Sequence, residues 1–504
     1  MKNKIYKLFI LALMFVFVIS SCDNGFDELN TNKYDATSLD PAFVLNRAIV
    51  NARHSTLIYE HAAVQWIVSP FSGVLAGANY NTDNKGSVGE NWTNYFEVIK
   101  DTRDVIAIAS ENPDRANLVN MARIIQSWAF MVLTDTYGAI PYDEGGNGYY
   151  SQVYFPTYQS QEYIYDKIIT DVTEATNALS ASGKTENADI LFGGDITQWK
   201  KFGNSLLLRM GMRLCNVDPT RAASIVSSAF SGGVITSNDD NAMINANDNY
   251  KNPAASVLVG NESANYYLTK TLVDWLKDKN DPRLEAFSVR YIGALSGNDQ
   301  TAARASTNAE DQIGMPMGFD NGSIEGQATA DGLVSFYEYS QASKTCIASE
   351  YAPTFIVTAG QTNLLLAEAR FRGWISSGTA AQYFADGIEQ SLKQVALFDA
   401  DAAIPEGDIT AYVSANPLNA GTEMEQINSQ YWISSIMCGE EAWANFRRTD
   451  YPDMAPNPYP GREVEWIYRL TYPDTESSVN SENFDAMIAM QGADKLDLKL
   501  WWDN

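Results

Sequence analysis

Apolar residues recur at helical spacing over much of the chain. After Asp40-Pro41, which reads as an N-cap followed by proline at the first helical position, the residues Phe43, Val44, Ala48, Ile49, Ala52, Ile58, Ala62 and Trp66 repeat at intervals of three and four with one looser gap. This predicts a long helix, open to a break, that ends near Ser69-Pro70. Residues 70–90 carry Gly73, Gly77, Gly86, Gly89 and many Asn, which predicts a long loop with Tyr80 near its middle. Helical periodicity returns in Trp92–Ala109 and Leu118–Leu133, and the stretch Thr134–Tyr142 closes the second helix with a Gly and Pro exit.

Ile164, Ile168, Val172, Ala175 and Leu179 form a further amphipathic stripe. Asp195 with Gln198 resembles a capping box before Trp199, Phe202, Leu206 and Leu214. Residues 231–252 and 293–332 lose the pattern and read as loops. It returns in Asn363–Trp374, Tyr383–Ala396 and Gln426–Phe446. Strand-like runs are few and short, Ser288–Ile292 and Leu333–Tyr339. The expected fold is mostly α, one body over residues 40–504 with long irregular insertions. Such loops on a rigid scaffold are where binding residues concentrate.

The first 21 residues follow another logic. Lys2, Lys4 and Lys7 precede an unbroken apolar run, Leu8–Ile19, and its 12 residues are too short to span a bilayer, which takes about 20 residues. The run fits a secretory signal, and Ile19-Ser20-Ser21-Cys22 resembles a bacterial lipobox, with Cys22 the residue that receives lipid. The alternative is a plain signal peptide with an incidental cysteine. On the lipobox reading, residues 1–21 are the signal and 22–39, rich in Asn, Asp and Thr, a lipidated tether.

Charge narrows the function. The chain has 35 basic and 62 acidic residues, a net charge of −27, and loss of the signal removes three lysines and no acid, taking it to −30. A nucleic-acid partner needs a basic footprint, so none is expected. Only His54 and His61 could supply an imidazole, which argues against a His-based triad or His-rich metal site. Besides Cys22 there are Cys215, Cys346 and Cys438, an odd number without CxxC spacing, and Cys215 lies in an apolar helical stretch as a small core residue. The Asn/Asp cluster at 238–249 lacks the order of an EF-hand loop and reads as solvated rather than calcium-binding. No cofactor or metal is expected. The 11 Trp, 27 Tyr and 21 Phe leave ample aromatic surface for cores, interfaces or sugar faces.

An ordered set of phrases resembles the SusD/RagB family of Bacteroidetes nutrient-binding outer-membrane lipoproteins over nearly the whole length. They are Cys22-Asp23 with Leu29–Asn32, Asp135–Tyr142, Trp199–Leu206 with Arg209 and Arg213, Asp281-Pro282-Arg283, Leu364–Ala369, Glu441-Ala442-Trp443, Arg447-Arg448-Thr449, Arg469–Pro473 with Glu476 and Asn480, and Trp501-Trp502-Asp503. The resemblance implies tetratricopeptide-like helix pairs as scaffold, with a more irregular half carrying the ligand. It also implies a SusC-like, TonB-dependent β-barrel transporter as partner, lipid anchoring in the outer membrane with the body facing outward, and an oligosaccharide, or in some members a peptide, as ligand. The acidic Asp23, Asp27 and Glu28 after Cys22 resemble a surface-display signal of such lipoproteins.

The motif residues themselves read as structural. Arg447 and Arg448 are expected to pair near a helix end with Glu440 and Glu441, and Trp199, Trp374 and Trp443 to pack in the core. For the ligand, aromatic platforms cover a sugar's apolar face while Asn, Asp and Arg satisfy its hydroxyls. The loop beyond Phe71 supplies Tyr80, Asn81 and Asp83, flanked by Trp66 and Trp92, and the resemblance implies that this loop lines the ligand surface together with loops after the middle of the chain, which would bring Tyr291, Phe319 and Asp320 as the other half. A surface glycoside hydrolase is the alternative from another class. It needs two carboxylates about 5 to 10 Å apart, and no linear motif singles out a pair. No catalytic residue is expected.

Overall fold

The computed structural model describes residues 39–52, 57–71, 78–260 and 263–503. The signal, Cys22, nearly all of the tether and His54 lie outside the described residues. The helices of seven or more residues are α1 (Pro41–Asn51), α2 (Leu57–Ala63), α3 (Lys85–Ser110), α4 (Ala116–Tyr137), α5 (Gln161–Ala178), α6 (Ile196–Arg213), α7 (Pro219–Gly232) and α8 (Pro253–Val259). They continue as α9 (Lys270–Asp278), α10 (Ile324–Ala330), α11 (Ala359–Phe371), α12 (Ala380–Lys393), α13 (Glu406–Ala415), α14 (Glu423–Ser434), α15 (Gly439–Thr449) and α16 (Ser481–Gln491).

Neighbouring helices pack in succession: α3 on both α1 and α4, α5 between α4 and α6, and α7 on α6. A second group joins α11 to α12 and α14, with α15 on α14 and α2. This is a mostly helical, tetratricopeptide-like scaffold of helix pairs. Close approach depends on small residues, since a Cβ at Gly203 of α6 would fall 2.1 Å from Thr176 Oγ1 of α5.

Helix starts follow local chemistry. Ser160 accepts the Tyr163 N–H at α5, Asp218 before Pro219 caps α7, and Thr358 with Gln361 forms a reciprocal capping box at α11. At α6, Asp195 caps Thr197 and Gln198, but the Gln198 side chain donates to Asp239 O at 3.0 Å instead of reaching back, so only half of the expected box forms.

The strands are short: β1 (Ile67–Val68), β2 (Ala242–Ile244), β3 (Tyr267–Leu268), β4 (Ser288–Tyr291), β5 (Ala305–Ser306), β6 (Gln341–Ala342) and β7 (Thr354–Val357). All pairings are antiparallel: β1 with β3, β2 with β7, and β4 between β5 and β6. The irregular half is built around these pairs and a small cluster of Val68, Tyr267, Met315, Met317, Phe336 and Tyr339.

Several expectations are corrected. The first helical run, open to a break, divides into α1 and α2, and a strand rather than helix leads to Ser69-Pro70. Helix α3 begins at Lys85 rather than Trp92, because tertiary contacts hold its glycine-containing first turns; Lys85 Nζ donates to Tyr472 O at 3.0 Å and Gly89 lies against Pro473. The run 426–446 is broken between α14 and α15, where Met437 takes φ 62°. Residues 333–339 form a 3₁₀ turn at Phe336–Glu338 instead of a strand, with the Glu338 carboxylate accepting the N–H groups of Val334 and Gly293.

The motif phrases meet in one buried network. Arg213 reaches Asp135 at 3.1 Å and Glu441 at 2.6 Å, Arg209 reaches Glu441 at 3.2 Å, and Tyr165 and Trp502 both donate to Asp135. Glu440 and Glu441 do not pair with Arg447 and Arg448 as expected. Seven residues along a helix put them about 10 Å apart on its axis, so the pairing runs between helices. Arg447 instead lies 3.7 Å over the Trp443 ring and donates to Asp135 O and Tyr468 O. Trp199 and Trp443 are core residues, Trp374 is half-buried against the core, and Cys215, Cys346 and Cys438 are buried free thiols. No helix among the described residues is long and apolar enough to cross a membrane.

Candidate functional site

Three segments distant in sequence come together at the edge of the irregular half. The first is the 3₁₀ turn Ala78–Tyr80 with Asn81, whose φ of 50° turns the chain toward α3. Asn81 Nδ2 donates to Val464 O at 3.1 Å and Glu465 O at 2.7 Å, and Asn81 O accepts the N–H groups of Glu463 and Val464. This clamps the second segment, the turn Pro458-Tyr459-Pro460-Gly461-Arg462. Asn457 braces it by donating to Asn79 O and accepting the Tyr459 N–H at 3.0 Å, and Arg462 N donates to Tyr459 O at 3.1 Å. Prolines on both sides of Tyr459 restrict the turn and pre-organise the ring.

The third segment is Gly318-Phe319-Asp320. Gly318 has φ 91°, and a Cβ there would fall 2.7 Å from Pro458 Cγ, so only glycine lets this loop lie against the turn. Asp320 is close enough to Tyr80 to influence its titration: the Tyr80 hydroxyl is pushed up to about 12, mainly by burial, with Tyr459 and Asp320 adding to it.

The expected ligand residues divide by exposure. Trp66 is fully buried, its ring 5.3 Å from His61 and 6.0 Å from Trp432. Trp92 is buried too, against Phe96, Tyr137 and Tyr472. Both are corrected to core residues, because helix packing occupies their ring faces. Tyr80 is only 6% exposed, donates to Pro70 O at 2.8 Å and packs edge-on at 4.4 Å against Tyr459, and Asn81 is spent on the clamp. These two build the surface from behind.

Asp83 is partly open and accepts the Thr471 hydroxyl at 2.7 Å. Tyr291 is buried in a separate cluster with Val289, Ala294 and Tyr337. Phe319 and Asp320 are partly exposed, and Phe319 also packs against the Val68 and Tyr267 cluster.

Sequence reading passed over Tyr459 and Arg462. Tyr459 is half-buried with an open side, and the exposed Arg462 side chain takes no partner among the described residues. An aromatic residue framed by Pro, Pro and Gly was the available signal. Of the aromatic and charged side chains on these segments, Phe319, Asp320 and Tyr459 are partly exposed and Arg462 is exposed.

The Ser323 hydroxyl and the amides of Gly322 and Ser323 hold the Asp320 carboxyl below its usual range. A general acid for glycoside cleavage needs the opposite shift. Among the described residues, no group of His, Cys, Asp and Glu could hold a metal ion.

Comparison with known proteins gives the family. Residues 33–473 match the model of a SusD-like family described as starch-binding and associating with the outer membrane, and the chain belongs to that family. No curated protein matches. Among solved structures, a chitin-binding protein is 27% identical with a TM-score of 0.81, the match covering 92% of this chain and 100% of that one. A SusD-like protein of Bacteroidetes AC2a (22% identity, TM-score 0.80, covering 92% of this chain and 100% of that one) has the same fold. So has a SusD homologue from Bacteroides uniformis ATCC 8492 (21%, TM-score 0.75, covering 93% and 100%).

Proposed function

We propose that this SusD-like protein is a cell-surface lipoprotein that captures neutral oligosaccharides and passes them to a SusC-like TonB-dependent β-barrel transporter, without performing chemistry on them. The observation that carries the reading is the meeting of the Tyr80, Phe319 and Tyr459 segments in one pre-organised face of aromatic, carboxylate and guanidinium groups. Starch, in the family description, and chitin, bound by the 27%-identical neighbour, are both chains of uncharged hexose units. Phe319 and Tyr459 would cover the apolar faces of such units while Asp320 and Arg462 exchange hydrogen bonds with their hydroxyls.

Cys22 carries the lipid anchor in this reading, residues 22–39 tether the body, and residues 40–504 form the binding domain. Acyl chains then hold the protein in the outer membrane, each buried CH₂ contributing about 0.8 kcal/mol. A short tether suits a lid that swings over the transporter mouth while staying attached.

Native purification from outer membranes, with mass spectrometry of co-purifying protein and glycan, tests the assignment. A β-barrel transporter carrying neutral glycan is the expected result. A co-purifying peptide in place of glycan would move the protein to the peptide-binding branch. Release of reducing sugar by the pure protein would overturn the carrier reading.

A further inference from the structure

A second cleft lies away from that face and shares no residue with it. It runs between the exposed side of α1 and the turn that leads from β2 to α8. Two adjoining cavities of about 530 and 470 Å³ have Val50, Asn51 and Tyr250 in common, and each falls in the usual range for small-ligand sites, about 300 to 1,000 Å³. Two aromatic side chains line it with much of their surface in water: Phe43 is 53% exposed and Tyr250 52%. A half-exposed ring beside a cavity keeps part of a flat apolar face open to water.

The walls are built rather than loose. Asn46 uses both ends of its amide, Nδ2 donating to Ala188 O at 2.6 Å and Oδ1 accepting the Ile190 N–H at 3.3 Å, and so fixes Ile190 as one wall. The opposite tip is closed by backbone bonds of 3.0 and 3.1 Å between Asn247 and Tyr250. It is braced from outside by the Tyr351 hydroxyl, which donates to Asp248 at 2.8 Å, and by Lys251, 3.4 Å over the Tyr351 ring.

Arg47 is locked in place as Nε and Nη2 meet Asp101 at 2.8 and 2.6 Å, which leaves Nη1 outside the pair on a half-exposed side chain lining the cavity. The amide side chains of Asn51, Asn94 and Asn245 line the cleft and take no partner among the described residues.

The lining also selects by charge. Arg47 is matched by Asp101, Glu97 by Lys100, and Lys251 by Asp248 and Glu350. A polyanion or polycation would find its counter-charges already engaged. Amide groups and a fixed guanidinium, set between two exposed rings, match alternating hydroxyls and apolar ring faces. We infer that this cleft is a second oligosaccharide-binding site, taking a neutral chain of pyranose units with Phe43 and Tyr250 as platforms, Arg47 as a pre-organised donor and Asn51, Asn94 and Asn245 as adaptable partners. The inference rests on the glycan-binding reading for its ligand class and on the cleft alone for its position.

Calorimetric titration of the full-length protein in detergent with maltohexaose and with N-acetylchitohexaose tests it. Phe43→Ala/Tyr250→Ala serves as the cleft variant and Phe319→Ala/Tyr459→Ala as the variant of the first face. All four side chains are at least partly exposed, and unchanged melting temperatures will confirm folding. The expected result is two classes of site in the unmodified protein, one weakened about tenfold or more by the cleft variant and retained by the other. If the cleft variant titrates like the unmodified protein with both sugars, the second site is overturned and the first face stands. Binding lost only in the cleft variant overturns the first face instead. No binding of either sugar to the unmodified protein overturns both.

Discussion

Arg448 meets Glu368 end to end, Nη1 and Nη2 each 2.7 Å from one carboxylate oxygen, with both side chains wholly out of water. The pair joins α15 to α11, and the same guanidinium also donates to Asn445 at 2.7 Å and Asn428 at 3.2 Å. Burial pushes the Glu368 carboxyl up, but Arg448 and Arg372 outweigh it and hold it below the usual range. Glu368 is therefore charged at neutral pH and depends on its partner.

Arg448→Ala is expected to cost about 3 kcal/mol of unfolding free energy, because it leaves the buried carboxylate with only the partly exposed Arg372, 2.8 Å away, as counter-charge. Urea unfolding measures this. A loss below about 1 kcal/mol would show that Arg372 alone, or a proton, satisfies Glu368. Replacing both residues by apolar ones of similar volume should cost much less.

Stability should fall as pH rises from about 5 to 8. Burial raises the carboxyl of Glu60 from 4.5 to about 8 and that of Glu440 from 4.5 to about 7; Glu60 is fully buried and Glu440 half-buried, and each has one buried carboxylate oxygen without a hydrogen-bond partner. The folded state keeps protons there that the unfolded chain releases. The stabilisation is complete below about 4.5 and is lost as pH climbs through the folded values, with a slope of up to about 1.4 kcal/mol per pH unit for each group. Glu60→Gln should flatten the dependence of melting temperature on pH over this window. An unchanged slope would remove Glu60 as its source.

Tyr459→Ala and Tyr80→Ala should separate binding from support. Removing the half-open Tyr459 ring is expected to weaken oligosaccharide binding about tenfold with little change in melting temperature. Tyr80 is buried, so its loss should cost about 3 kcal/mol of stability and reduce binding only through movement of the Tyr459 turn. Affinity electrophoresis in starch and in soluble chitin, with thermal unfolding alongside, measures both. Full affinity in Tyr459→Ala would rule out its ring as a platform.

Cys22→Ala should leave the protein unlabelled by radioactive palmitate and absent from the outer-membrane fraction. Labelled, membrane-bound protein in that variant would place the lipid on another residue.

Much of the scaffold was legible in the chain. The stripe from Ile164 to Leu179 folds as α5, and the periodic run of Leu118–Leu133 lies within α4, because a helix that buries one face must repeat its apolar residues at that spacing. The break after α14 was hidden for the converse reason. Ile433, Ile436, Met437 and Cys438 are all buried, so nothing in the apolar pattern marks the reversal. Strand β7 escaped notice because its four residues gain their pairing from β2, more than a hundred positions earlier.

The aromatic residues show where sequence reading stops. Trp66, Trp92, Tyr80, Phe319 and Tyr459 are equally suited by chemistry to a sugar face. Residue type and local spacing determined that the protein is helical, acidic and poor in imidazole, and an ordered set of motif phrases carried its resemblance to the SusD-like family. Only the tertiary structure decided which rings are core, which support and which remain open. Exposure depends on what the other elements cover: α4 and the C-terminal segment enclose Trp92, α14 encloses Trp66, and none of them encloses Tyr459 or Phe43.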